Sequence, residues 1–319
     1  MSPYRKQLPQ LAGRLFLADA GLETMLSFQQ GFALPAFASF VLLQEARGRD
    51  ALRRYFEGFA RLARAHGTGL VLETPTWRAN PDWGHSLGYN ALALAEANRD
   101  AVTLLAAVRE AWETPVTPIV ISGNLGPRGD GYRVEGRMSA AAAHDYHLAQ
   151  IATLAGTEAD MVAAFTITYP DEAIGIVDAA AACDMPVAIS FTLETDGRLP
   201  SGDALAEAVQ RTDAETGNYA AYFMINCAHP SHIAPALLDA GPWRERLHGV
   251  RANASRRSHA ELDASTELDD GDPEALGEDY LALRKLLPRM NVVGGCCGTD
   301  ERHIGSIARH LTGRPPRST

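Results

Sequence analysis

The chain has 319 residues, 46% of them hydrophobic and 21% charged, a length that admits one large α/β barrel or two ordinary domains. A formal net charge of −10 argues against a nucleic-acid partner, which demands a basic face, and no stretch approaches the ~18 uninterrupted apolar residues of a membrane span. The opening Met1-Ser2-Pro3-Tyr4-Arg5-Lys6 lacks the apolar run of a secretory signal, so the expectation is a cytoplasmic protein whose four cysteines are metal ligands or free thiols.

Short apolar runs alternate with helical patterns from end to end, the pattern of parallel βα units. Arg14 to Asp19 reads as a first strand, followed by a long loop over Leu26 to Phe40 and a helix over Gln44 to His66. Leu70 to Glu73 is a second strand before a helical stretch from Ser86 to Trp112, and Pro118 to Ser122 a third before Ser139 to Gly156. The fourth and fifth units pair Asp160 to Phe165 with Pro170 to Cys183, and Pro186 to Phe191 with Gly202 to Thr212. The sixth pairs Ala221 to Asn226 with Ser231 to Ala240. Gly249 to Asn253 is the seventh strand; a second long loop, Ala254 to Asp272, separates it from a helix over Pro273 to Leu287. Asn291 to Gly294 is the eighth strand, and a last helix runs from about Asp300 to Leu311 with Thr299 or Asp300 as its N-cap.

Eight such units without a Pro/Gly/Ser-rich linker predict an α/β fold, a single (β/α)8 TIM barrel domain over residues 1–319, with the active site at the C-terminal face, where the loops after the strands gather.

Gly294-Gly295-Cys296-Cys297-Gly298-Thr299 follows the eighth strand, and a bend at Gly295 and Gly298 can turn both thiols toward one point. Thiolates are preferred zinc ligands, and Cys227, at the end of the sixth strand, supplies a third. Three sulfurs leave a tetrahedral ion one open position, as in catalytic sites. The barrel would bring them to one mouth although about 70 residues separate Cys227 from the pair. A vicinal disulfide or inert core cysteines are the alternatives; Cys183, on an alanine-rich helix, fits the inert description.

The chain resembles the zinc-dependent homocysteine S-methyltransferase family, which includes betaine-homocysteine methyltransferase and the homocysteine-binding module of cobalamin-dependent methionine synthase. The matching elements are Asp19-Ala20-Gly21-Leu22-Glu23-Thr24, Glu73-Thr74-Pro75-Thr76-Trp77, Gly123-Asn124-Leu125-Gly126-Pro127, Asn226-Cys227 and the closing cysteine motif. The resemblance implies that Cys227, Cys296 and Cys297 hold one Zn2+ per chain and that Asp19, Glu23, Thr74, Thr76, Trp77, Asn226 and Asn253 surround the substrate. It implies methyl transfer to the thiol of homocysteine, giving methionine. A thiol is a few per cent ionised at neutral pH, and zinc removes that limit by holding the substrate sulfur deprotonated.

The chain ends soon after its last helix, so a small free donor is expected, S-methylmethionine or S-adenosylmethionine ahead of betaine. Such a cation favours aromatic faces, for which Trp77, Trp83, Tyr89, Tyr169 and Phe191 are candidates. His229, His232 and His303 lie near the cysteine segments as surface or supporting groups.

One departure bears on the acceptor. Relatives carry a Glu-Thr pair at the end of the fourth strand, whose glutamate binds the substrate ammonium, whereas here the segment reads Phe165-Thr166. Glu23 or Asp19 takes over that contact, or the acceptor is another thiol or selenol. A non-catalytic zinc- or thiol-binding barrel is the remaining alternative.

Overall fold

In a computed structural model, which describes residues 2–313, eight parallel strands form a closed barrel in which each strand pairs with its sequence neighbour and the last with the first. The strands are β1 (Phe16–Ala18), β2 (Gly69–Glu73), β3 (Ile119–Leu125), β4 (Met161–Ile167), β5 (Val187–Thr192), β6 (Tyr222–Asn226), β7 (Leu247–Ala252) and β8 (Val292–Gly295). The helices around them are α1 (Ala46–His66), α2 (Ala91–Trp112), α3 (Ala140–Ala155), α4 (Pro170–Ala182), α5 (Leu205–Glu215), α6 (Pro230–Ala236), α7 (Pro273–Leu286) and α8 (Glu301–Thr312). The predicted (β/α)8 barrel is the observed fold.

Differences from expectation are local. The helix expected from Ser86 to Trp112 is two pieces, Pro81–Ser86 and α2, because Gly88 adopts φ +84° between them and Asn90 caps the second by accepting from Ala93 N. The stretch expected as a loop over Leu26 to Phe40 contains a π turn at Met25–Gln29 and a 3-10 turn at Pro35–Phe37, with another following at Ser39–Gln44. Asp300, not Thr299, caps α8, accepting from Arg302 N while His303 closes a capping box.

Residues on alternate positions of each strand face the barrel interior, and their character changes along the axis. Phe16, Val71, Val120, Met161, Ala188, Tyr222 and Val292 pack as one apolar cluster inside the barrel. Two or four residues further along the same inward rows stand Glu73, Asn124, Phe165 and Asn226, with Arg251 near the end of β7. The complementary rows, including Leu70, Leu72, Ile119, Ile121, Ile189 and Ile225, bury against the helices in the larger core. An apolar plug thus forms the floor for a polar mouth.

Candidate active site

The mouth opens into a cavity of about 460 Å³ walled by the strand ends and by three loops. One loop contributes Glu23, Phe28 and Phe37, the segment after β3 contributes Asp130 and Tyr132, and the loop after β7 contributes His259, Asp263, Glu267 and Asp269. That last loop, of open role in the sequence, is therefore a wall of the site; it carries a short helix, His259–Asp263, started by a capping box between Ser258 and Glu261.

The three cysteines singled out in the sequence meet on the cavity wall. The sulfurs of Cys227, Cys296 and Cys297 lie within 4.8 Å of one another, the Cys227 and Cys297 sulfurs 4.0 Å apart. Cys227 and Cys296, with Cα atoms 5.4 Å apart, are joined as a disulfide. The turn that presents the pair is closed by Thr299 N donating to Cys296 O at 3.1 Å, with Gly298 at φ +78°, a conformation that favours glycine. Gly295 admits the Thr299 hydroxyl, which would lie 2.1 Å from a Cβ there, and this hydroxyl donates to Cys296 O at 2.7 Å.

The donor set fits zinc. Tetrahedral Zn–S bonds of about 2.3 Å place sulfurs roughly 3.8 Å apart, close to the Cys227–Cys297 separation of 4.0 Å, and the reduced Cys227 and Cys296 sulfurs would part to admit the ion. Burial pushes the Cys297 thiol up to about 11, so a cation is what would keep this cluster ionised at neutral pH.

Cys227 adopts φ +53°, and Thr166, across the mouth on β4, adopts φ +62° where the β4–β5 register shifts. Asn226, next to Cys227, holds Thr166: its Oδ1 accepts from Thr166 N at 2.8 Å and Ser190 Oγ at 2.7 Å, and its Nδ2 donates to Thr166 Oγ1 at 2.9 Å, while Cys227 N donates to Arg251 O at 3.1 Å. Left-handed backbone at non-glycine residues is stored strain, and here it lies beside the cysteine cluster.

Of the residues expected around a substrate, Asp19, Glu23, Thr74, Trp77 and Asn226 line the cavity with the three cysteines. Thr76 and Asn253 are buried outside its walls; Thr76 donates to Asn124 O at 2.7 Å and shares a 2.6 Å hydrogen bond with Thr74, while Asn253 N donates to Ala228 O at 3.2 Å. Asp19 is committed to Arg251, whose Nη2 donates to it, and burial raises its carboxyl to about 6 against the pull of that guanidinium. Glu23 accepts from Ser39 Oγ at 2.7 Å, and burial raises it despite that bond.

The expected aromatic face is already occupied. The Arg78 guanidinium lies between the Trp77 and Trp83 rings, 3.9 Å from each ring centroid, and donates to Gly129 O at 3.0 Å. Tyr89 packs on Phe40, Tyr169 accepts from Met138 N, and Phe191 stacks on Phe223, so these three support the barrel. His229 and His303 cap helices, with His229 accepting from Ser231 N at 3.1 Å.

Sequence reading gave no role to Glu73, Arg78, Arg251, Tyr132 or His259. The Tyr132 hydroxyl donates to Cys227 Sγ at 3.5 Å and lies 3.8 Å from Cys297 Sγ. His259 stacks against the Tyr132 ring at 4.2 Å, with Nε2 against Cys227 O and Nδ1 3.2 Å from Glu194. Glu73 and Arg251 carried a signal, since each is a charged residue near the C-terminal end of an otherwise buried parallel strand. Tyr132 and His259 carried none, being ordinary loop residues.

The homocysteine S-methyltransferase family model matches residues 16–311. Homocysteine S-methyltransferase 3 of Arabidopsis thaliana is 26% identical over 210 residues, which span 62% of this chain and 59% of the relative's length. The metallated form of the homocysteine methyltransferase MmuM from Escherichia coli superposes with a TM-score of 0.75 at 19% identity, covering 96% of this chain and 99% of that one. Its oxidized form gives 0.73 at 20% identity, covering 95% and 97%. With the family model covering nearly the whole barrel, this chain belongs to the homocysteine S-methyltransferase family.

Proposed function

We propose that this protein, as one barrel domain, transfers a methyl group from a small onium donor to the thiol of homocysteine, giving methionine, with Cys227, Cys296 and Cys297 holding one zinc ion. The observation that carries the reading is the convergence of three cysteine sulfurs within 4.8 Å on the wall of a cavity large enough for two small substrates. Zinc held by three thiolates would keep a substrate thiol ionised at neutral pH yet nucleophilic.

The chain's own residues supply position and electrostatics. The buried Asp19–Arg251 pair and Glu23 line the cavity, and Thr74 lies beside them, with Thr76 and Asn253 as buried supports for their loops. Asn226 fixes the backbone that presents Cys227, and the Tyr132 hydroxyl lies over two of the sulfurs. Asp130, Asp263, Glu267 and Asp269 also line the cavity, and their negative charge favours a cationic donor such as S-methylmethionine or S-adenosylmethionine, with betaine as the smaller option. Methyl transfer is displacement at carbon, so walls that hold donor and acceptor collinear supply much of the acceleration. No described helix is long and apolar enough to cross a membrane, and with thiols as ligands we place the protein in the cytoplasm.

One observation favours a second reading with another thiol or selenol acceptor: Phe165 presents a ring to the cavity at the end of β4, where the family resemblance implied a carboxylate. The experiment is metal analysis and methyl transfer on reduced protein, with homocysteine and rival thiols in competition. About one zinc per chain with methionine as the main product is expected, and Cys296→Ser should lose both metal and transfer. Full activity in that variant would sink the zinc reading, and preference for a rival thiol the homocysteine reading.

A further inference from the structure

Three carboxylates line the inner part of the cavity, and they differ in how fully they are paired. Asp19 accepts from Arg251, and Glu23 accepts from Ser39. Glu73, at the inward-facing end of β2, is 4% exposed, and its Oε2 has no hydrogen-bond partner among the described residues. A buried acceptor left unpaired is costly enough that native structures rarely tolerate one without a purpose.

At the end of β4 the Arg251 guanidinium carbon lies 5.0 Å from the Phe165 ring centroid, and that strand brings no carboxylate to the cavity. The end of β2 brings Glu73, a buried carboxyl with one oxygen unpaired and with Arg251 and Asp19 as its charged neighbours.

We infer that Glu73 binds the α-ammonium group of the acceptor thiol, in place of the carboxylate that the end of β4 lacks; the inference rests on the acceptor chemistry proposed above. Burial holds the unliganded Glu73 carboxyl at about 8, only partly offset by Arg251 and by the Ser122 hydroxyl, so at neutral pH it is largely protonated. An arriving ammonium turns it into a carboxylate, and the displaced proton passes to the buffer. The polar head of the acceptor is thereby read on β2, beside β1, with Arg251 neutralising Asp19 rather than leaving it for the substrate.

The test is calorimetric titration of reduced, zinc-loaded protein with homocysteine and with 4-mercaptobutanoate, the same thiol acid without its amino group, in buffers of different ionisation enthalpy. Glu73→Gln should weaken homocysteine about 10- to 100-fold, the range for a hydrogen bond to a charged group, and leave 4-mercaptobutanoate within about threefold. At pH 7 homocysteine binding to the parent protein should release nearly one proton more than binding to the variant. Unchanged homocysteine affinity, or equal weakening of both ligands, overturns the assignment. Should the variant not fold, the parent decides: homocysteine must bind at least about tenfold more tightly than 4-mercaptobutanoate and release the extra proton, and equal binding refutes the role. Failure of the proposed activity reads differently, as a protein that binds homocysteine in this way yet methylates no thiol from any onium donor.

Discussion

Arg251 on β7 donates through Nη2 to Asp19 at the end of β1, and its Nε donates to Gly295 O on β8 at 3.0 Å. One side chain thus ties the strand that opens the barrel to the two that close it, directly beneath the cysteine turn. Arg251→Met should leave Asp19 buried without a counterion and destabilise the protein by about 3–5 kcal/mol. Adding Asp19→Asn should restore most of that loss, a result that chemical denaturation of the four members of the cycle would read. Independent, additive losses would mean that the pair is not coupled.

Glu73 sets a pH dependence of stability. Its carboxyl lies at about 8 in the folded chain against an ordinary 4.5, with burial as the main cause and Arg251 in opposition. Between these values the folded state binds more protons than the unfolded state, so this contribution is fully present below about pH 4.5 and is lost as pH rises through 8. The full loss is on the order of 5 kcal/mol. Glu73→Gln should flatten that segment of the profile and raise the thermal midpoint at pH 8, measured without substrate; an unchanged slope would place Glu73 in a wetter setting.

Asn226→Ala removes the acceptor for Thr166 N and Ser190 Oγ at a buried position. The expected cost is about 2–3 kcal/mol in urea unfolding, together with weaker zinc binding in competition with a chelator, because the neighbouring Cys227 loses its brace. A stability loss with unaltered metal affinity would show that Cys227 is held from elsewhere.

Gly298→Ala introduces a Cβ 2.6 Å from Asp269 O at a residue with φ +78°. The strain should cost about 1–3 kcal/mol and lower zinc affinity more than an exposed glycine substitution such as Gly136→Ala, which meets no atom within 4 Å. Equal effects at both sites would uncouple the turn from the metal.

Hydrophobic periodicity alone determined the eight βα units, because a parallel strand covered on both faces must be a short apolar run and its crossover helix must be amphipathic. Local chemistry likewise determined the cysteine turn: glycine at residues 295 and 298 leaves room for a bend that points adjacent thiols one way. The joining of Cys227 to that turn followed once the barrel was assumed, since strand order fixes which ends meet. Tertiary structure decided the partnerships among charges. A sequence shows that Asp19, Glu23, Glu73 and Arg251 end strands or begin loops, but a counterion is chosen by distance across the closed barrel. That geometry pairs Arg251 with Asp19, gives Glu23 a serine, and leaves the Oε2 of Glu73 unpaired among the described residues. The placing of Arg78 between two tryptophans and of Tyr132 over the sulfurs was decided the same way, by loops whose conformation depends on contacts distant in sequence.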